Sequence, residues 1–267
     1  MDIVVYRSES PWATPKEDAF IEGLRVHGIE PEERSPANIR ASDLAVIWAH
    51  RHKALFDTQR QAGAHYLVME RGYIGDIHER RKWTSLGFDG LNGRAWFPKP
   101  VNGERWERNF GHVMQPWKDG GEYTVVMGQV RGDASLGGLD VVDWYDEAVA
   151  NMKADWKFPV VFRPHPRDDR TPVPLADRID RGELSALLEK ACGVCTFNSN
   201  TGVDAVLAGA PVVARDRGSM AWDVSGHDYD QCWRPDRTVW AAQLAFCQWT
   251  DREIASGLAW DHLRKLV

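Results

Sequence analysis

Tyr123-Thr124-Val125-Val126-Met127-Gly128-Gln129-Val130, followed by Arg131-Gly132-Asp133-Ala134-Ser135, is the stretch on which the fold turns. An apolar run that reads as a buried strand, over 123–130, opens into a glycine-containing polar loop ahead of a helical pattern at 141–154. The same grammar repeats downstream. Strands are predicted at 159–162, 194–197 and 211–214, with helices at 184–191 and 202–208. Upstream, apolar runs at 3–6, 44–48 and 66–69 alternate with helical spacing at 16–26 and 52–61, closed by Gly28 and Gly63. Near-continuous apolar strands alternating with helices predict parallel sheets covered on both faces. Glycines and prolines break the pattern between 71 and 120, which predicts long irregular structure, and two helical patterns finish the chain at 238–248 and 251–265.

The expected fold class is therefore α/β, with two Rossmann-like domains facing a central cleft. Residues 1–118 would form the first domain with its long loop region 71–118, and 119–236 the second. Helices in 237–267 would pack across the join. The chain has 267 residues, 43% hydrophobic and 27% charged, which excludes a disordered chain, a collagen-like repeat and a long coiled coil. No apolar stretch reaches the roughly 20 residues that cross a bilayer, and the start, MDIVVYRSES, lacks a secretory pattern. Four cysteines make no disulfide scaffold. The expected location is the cytoplasm. Cys192 and Cys195 form a CxxC within or ahead of a strand, where buried packing thiols are expected rather than a metal or redox pair.

In open α/β sheets ligands bind beyond the carboxyl ends of the strands, so the residues after each strand are the candidates. Gln129, Asp133 and Ser135 follow the first strand of the second half, with glycines that admit a ligand backbone-close; they would serve equally as a polar helix-capping loop. Arg163-Pro-His-Pro-Arg167 follows the next. Its prolines fix His165 between two arginines, an arrangement that presents imidazole and guanidinium to a phosphate. Asn198-Ser199-Asn200-Thr201-Gly202 precedes the helix carrying Asp204. Such a turn offers backbone N–H groups to an anion, with Asp204 placed for a ribose hydroxyl, or else is a well-capped helix alone. Three such loops in consecutive units point to a nucleotide-phosphate site.

These residues carry a resemblance. Gly128-Gln-Val-x-x-Asp-Ala-Ser135, Arg163-Pro-His-Pro166 and Ser199-x-Thr-Gly-x-Asp-Ala205 with Gly209-x-Pro-Val212 resemble the blocks of the capsule polysaccharide synthesis glycosyltransferases, bacterial Kdo transferases of GT-B fold. The likeness spans about 120–215. It implies two Rossmann-like domains with the donor, a UDP- or CMP-sugar, held by the second. It also implies that His165 and the Ser199–Gly202 turn hold the donor phosphate and Asp204 the ribose. No cofactor and no metal are expected, since positive side chains and helix N-termini usually stabilise the leaving group in this fold class.

The first half would supply the acceptor side. Glu70 and Asp76 follow its third strand and are candidate bases; each would otherwise form a surface salt bridge. Asp76 is preferred because Gly75 lets a ligand approach. His50, after the second strand, is a third candidate. The stretch 71–118 holds nine basic and five acidic residues. Within it Arg71, Arg80, Arg81, Lys82 and Arg94 interleave with Tyr73, Trp83 and Trp96, which suits a stacked polyanion or, alternatively, a tryptophan-rich mini-core with a solvated rim. Two acceptors are close: a hydroxymethylated pyrimidine in DNA, as in phages that glycosylate their genomes, narrowly preferred, and a capsule or lipid-linked glycan. The net charge of −6 weighs against DNA. A nucleotide-sugar epimerase or hydrolase, or a non-catalytic binding module, fits the same architecture.

Overall fold

The computed structural model describes residues 1–267. It divides into two compact units, Met1–Arg105 with Ala241–Val267, and Trp106–Trp240. The first boundary falls earlier than the sequence suggests, and the last 27 residues return to the first unit.

The first unit opens with β1 (Ile3–Tyr6), α1 (Thr14–Val26), β2 (Glu32–Arg34), β3 (Leu44–Trp48), α2 (Lys53–Gln61) and β4 (His65–Arg71). It continues through α3 (Ile77–Arg80) and β5 (Trp83–Phe88) to α4 (Glu104–Asn109), at whose start the unit ends. The second unit carries β6 (Tyr123–Met127), α5 (Val141–Trp156), β7 (Val160–Arg163) and β8 (Arg178–Ile179). There follow α6 (Leu184–Lys190), β9 (Ala191–Thr196), α7 (Thr201–Leu207), β10 (Val212–Ala214) and α8 (Thr238–Phe246). Then β11 (Gln248–Thr250), α9 (Asp251–Ala255) and α10 (Leu258–Leu263) close the chain.

The first sheet runs β11-β5-β4-β3-β1-β2. Its strands β1 to β4 are parallel, while β5 and β11 add an antiparallel edge. Residues 71–120 are thus not irregular throughout, because β5 and the bridge Phe88–Trp96 extend the sheet there. The C-terminal segment completes this core. Trp249 and Trp260 are fully buried with Phe20, Leu24 and Phe88. On an area basis each indole contributes about 4 kcal/mol. Helix α1 packs on α9 at Gly23, where any Cβ would overlap the Ile254 carbonyl oxygen. Arg105 fastens the returning chain. Its Nε donates to Ala245 O (2.8 Å), its Nη2 to Gln248 O (2.8 Å), and it pairs with Glu253 beneath the Trp249 ring.

The second sheet, β10-β9-β6-β7-β8, is parallel throughout. Its order reverses between β6 and β9, and this is the switch point at which a Rossmann sheet opens a crevice. The core on one face joins Trp144, Tyr145 and Met152 of α5 to Val126, Phe162 and Cys195. Cys192 and Cys195 both lie buried on β9, and burial pushes both thiols up, Cys192 to about 11.

Candidate functional site

At the carboxyl edge of the second sheet the loops after β6, β7, β9 and β10 meet. Asn198 ties together three of them, those after β6, β9 and β10. It is 2% exposed and Gln129 is 6% exposed. The two amides interlock across the switch point: Gln129 Nε2 donates to Asn198 Oδ1 (2.8 Å), and Asn198 N donates to Gln129 Oε1 (3.0 Å). Asn198 Nδ2 donates to Ser135 O (2.7 Å) and to Asp216 Oδ1 (2.8 Å). Asp216 Oδ1 also accepts from Gly218 N (2.9 Å). Behind this node Gln129 N donates to Tyr145 Oη (2.7 Å), whose hydroxyl donates back to Gln129 O (2.8 Å). A buried polar network with these partners satisfied fixes its loops in one arrangement. Gln129, expected to touch a donor, therefore positions the loops with its amide.

The loop after β7 is joined to the same edge. Gly128 N donates to Arg163 O (2.7 Å), and a Cβ on Gly128 would press on that oxygen and on His165 N. Asp168 accepts from Arg131 N (2.9 Å), Thr171 N (3.0 Å) and Thr171 Oγ1 (2.7 Å). Burial opposes its charge, yet these hydrogen bonds bring its pKa down to about 2. The fold-back shapes a groove of about 420 Å³ in whose lining Arg131, Arg167 and Arg170 are accompanied by Asp168 and Asp169.

His165 is half-buried at the start of this loop. Its Nδ1 faces the N–H of Arg167 at 3.1 Å, which makes Nδ1 the acceptor. Burial, then the Arg167 charge, lowers its pKa, so the imidazole is neutral near pH 7. The proton then sits on Nε2, a donor suited to a phosphate oxygen.

Other sequence candidates are placed differently. Arg163 turns away from the edge: its Nη1 donates to Gly182 O (2.6 Å) and lies 3.6 Å from Asp180. It braces the chain after β8 and does not project as a phosphate ligand. Asp133 caps the turn 134–136 through Ser135 N (2.9 Å) and Ser135 Oγ (2.8 Å). The Ser199 turn does not present the free N–H groups expected. Thr201 N and Oγ1 donate to Ser199 Oγ (3.3 and 2.9 Å), Gly202 N to Ser199 O, and Val203 N to Asn200 O. Gly202 serves close packing, since a Cβ there would press on Thr196 and Ala221. Asn200 and Asp204 stand half-buried at the start of α7. Asn198 and Asp216 were not singled out, although reading the residues after β10 by the same strand-end rule leads to Arg215-Asp216.

The acceptor-side candidates divide in the first unit. Asp76 is an exposed N-cap, its Oδ1 accepting from His78 N (2.7 Å) and Glu79 N (3.0 Å); those N–H groups, Glu79 first, lower its pKa. Glu70 Oε1 accepts from Arg71 N (3.0 Å). Tyr73 is only 4% exposed, and burial pushes its phenol up, so its ring is core and not an acceptor contact. Arg71, Arg80, Arg81, Lys82 and Trp83 lie by the carboxyl end of β4. Arg94 and Trp96 lie at its amino end, where Phe88 pairs with Leu67 and bridges Trp96. The ends are about 20 Å apart at roughly 3.3 Å per residue, and residues 106–118 belong to the second unit. The single basic and aromatic surface read from 71–118 does not form. His50, at the end of β3, stacks on Phe56 (4.3 Å between centroids, 10°), and burial lowers its pKa.

No family model matches the chain, and no curated protein matches it. Solved structures do. It is similar to Thermosulfurimonas dismutans KpsC, β Kdo 2,7 transferase, at 15% identity and a TM-score of 0.60, over 97% of this chain and 99% of that one. It is also similar to the same organism's KpsC, β Kdo 2,4 transferase, at 15% identity and 0.54, over 91% and 90%. With two Rossmann-like units and these matches across nearly its whole length, the chain has the GT-B fold that it shares with these Kdo transferases.

Proposed function

We propose that this protein is a glycosyltransferase that moves a sugar from a nucleotide-sugar donor, UDP- or CMP-linked, to a hydroxyl of an anionic glycan of the capsule type. The observation that carries this reading is the ordered carboxyl edge of the second sheet, where four loops are locked at the switch point and a neutral His165 stands among them. The near full-length likeness to two Kdo transferases supports the same reading. A hydroxymethylated pyrimidine in DNA loses its main support, because the basic and aromatic stretch is divided between sheet edges and units.

In this reaction the acceptor oxygen bonds to the anomeric carbon as the bond from that carbon to the donor phosphate breaks. Charge develops on the leaving phosphate, and His165 Nε2–H meets it with a preorganised hydrogen bond. Ser199, Thr201 and Asp204 flank the same edge as donor contacts, with Asp204 for the ribose. Asp76 or Glu70 takes the acceptor proton. Asp76 already accepts two N–H groups that hold its proton affinity down, so Glu70 is an equal candidate. No helix is long and apolar enough to cross a membrane.

The test is a matrix of mass-tagged nucleotide sugars, CMP-Kdo included, against capsule-type glycans, plain DNA and hydroxymethylated DNA. The expected outcome is transfer to glycans alone. Transfer to hydroxymethylated DNA alone overturns the acceptor, and donor hydrolysis without transfer overturns the reaction.

A further inference from the structure

The carboxyl edge of the first sheet carries a side-chain pair that neither the core nor an ion-pair network explains. The parallel strands there run β4-β3-β1-β2, so the order reverses at β1 and β3, and loops after β1 and β4 flank that edge. The loop after β1 is fixed. Ser8 N donates to both carboxylate oxygens of the buried Glu17 (3.0 and 3.2 Å), Ser10 N to Ser8 Oγ (3.1 Å), and Ala13 N to Ser10 O (2.9 Å). Yet this fixed loop holds Trp12 54% exposed. The loop after β4 is fixed as well, by Tyr73 N donating to Gln248 Oε1 (2.7 Å) and by the Asp76 cap. It delivers the Arg81 guanidinium to 4.5 Å from the Trp12 ring centroid. Arg81 has no carboxylate within salt-bridge distance, and its Nε is buried with no hydrogen-bond partner.

An indole held half out of a rigid loop offers one apolar ring face. A guanidinium beside it, with donors unengaged, offers a charge-assisted hydrogen bond to a carboxylate. One residue matches both: a pyranose whose axial C–H face lies on the indole and whose carboxylate meets Arg81. We propose that Trp12 and Arg81 form a subsite for an acidic sugar residue of the acceptor. This rests on the glycosyltransferase reading and adds to it the two side chains that would hold an acidic ring of the acceptor. A nucleic acid strand is the poorer match. It needs a run of unpaired cations, whereas Lys82 is paired with Glu79 (2.6 Å) and the chain's net charge is −6.

Saturation-transfer NMR with Kdo, glucuronate, glucose and a short oligothymidylate tests it on the full chain, with CMP and UDP binding measured by calorimetry on the same samples. Transfer to the two acidic sugars and not to glucose is expected. Trp12→Ala and Arg81→Gln each weaken it about tenfold, Trp12→Phe retains most of it, and nucleotide affinity stays within about twofold because those contacts lie on the other unit. Equal transfer to glucose, transfer unchanged in both variants, or preference for the oligothymidylate overturns the subsite. Nucleotide binding without any saccharide transfer overturns the subsite alone. Saccharide transfer with the expected variant losses but without nucleotide binding upholds the subsite and strikes instead at the donor reading.

Discussion

Replacing Asn198 by alanine removes the one side chain that joins three strand-end loops. Three hydrogen bonds go with it: from Gln129 Nε2, to Ser135 O and to Asp216 Oδ1. The site is 2% exposed, so water does not readily replace the lost partners. Two neutral bonds at about 1 kcal/mol each and one to a carboxylate at about 2 kcal/mol give a loss of about 4 kcal/mol. For a chain of this size that lowers the thermal midpoint by about 10 °C. Calorimetry reads the midpoint, and a double-mutant cycle with Gln129→Leu reads a coupling of about 1 kcal/mol or more between the amides. Because the loops carry the proposed donor contacts, the KM for the nucleotide sugar rises about tenfold or more while the variant is still folded at 20 °C. A midpoint within about 2 °C of the unaltered protein, together with an unchanged donor KM, refutes the reasoning.

Further outcomes follow from other residues. His165→Ala lowers kcat by about 100-fold with little change in thermal stability, read by steady-state kinetics beside calorimetry. Asp76→Ser keeps an N-cap acceptor and removes the carboxylate; a kcat loss above about 100-fold with an unchanged midpoint marks Asp76 as the base, and full activity transfers that role to Glu70. His262 packs against Phe246 and Trp249, and burial, then Lys265, lowers its pKa to about 4. Its unfolded state binds the proton first as pH falls below about 6.5, so stability is full above that pH and declines toward pH 4. His262→Phe removes up to about 3 kcal/mol of that decline, measured by urea unfolding at pH 7 and pH 4.5. Gly209→Ala costs about 3 kcal/mol, because φ is +78° there and a Cβ would overlap the Pro116 carbonyl oxygen.

Much of the second unit was legible because its strands are buried on both faces and read as short apolar runs bounded by turn residues. Val160–Arg163 and Ala191–Thr196 differ from the sequence reading by a few residues at their ends. The first sheet was less legible. Glu32–Arg34 is a polar edge strand, and Trp83–Phe88 carries Thr84, Ser85 and Gly87 in a region full of turn signals. Gln248–Thr250 gains its identity as a strand only by pairing with residues 83–85, far away in sequence.

The strand-end rule found the loops of the candidate site but not the direction of their side chains. Arg163 closes β7 two residues before His165, yet its guanidinium leaves for Gly182, a contact that depends on the path of 164–182. Asn198 looked like one more polar turn residue, and its place as a node depends on strands being neighbours in the sheet. The basic and aromatic stretch failed for a related reason. Residues close in sequence across β4 and β5 end up at opposite edges of one sheet, so Arg81 and Trp96 cannot share a ligand.

The central claim is that the carboxyl edge of the second sheet is the nucleotide site. Amide hydrogen exchange with and without saturating CMP or UDP tests it most directly. The account expects one nucleotide to slow exchange in 128–135, 163–168 and 197–204, with loss of that protection in His165→Ala. Protection confined to other segments, or binding that leaves these three loops unchanged, contradicts it.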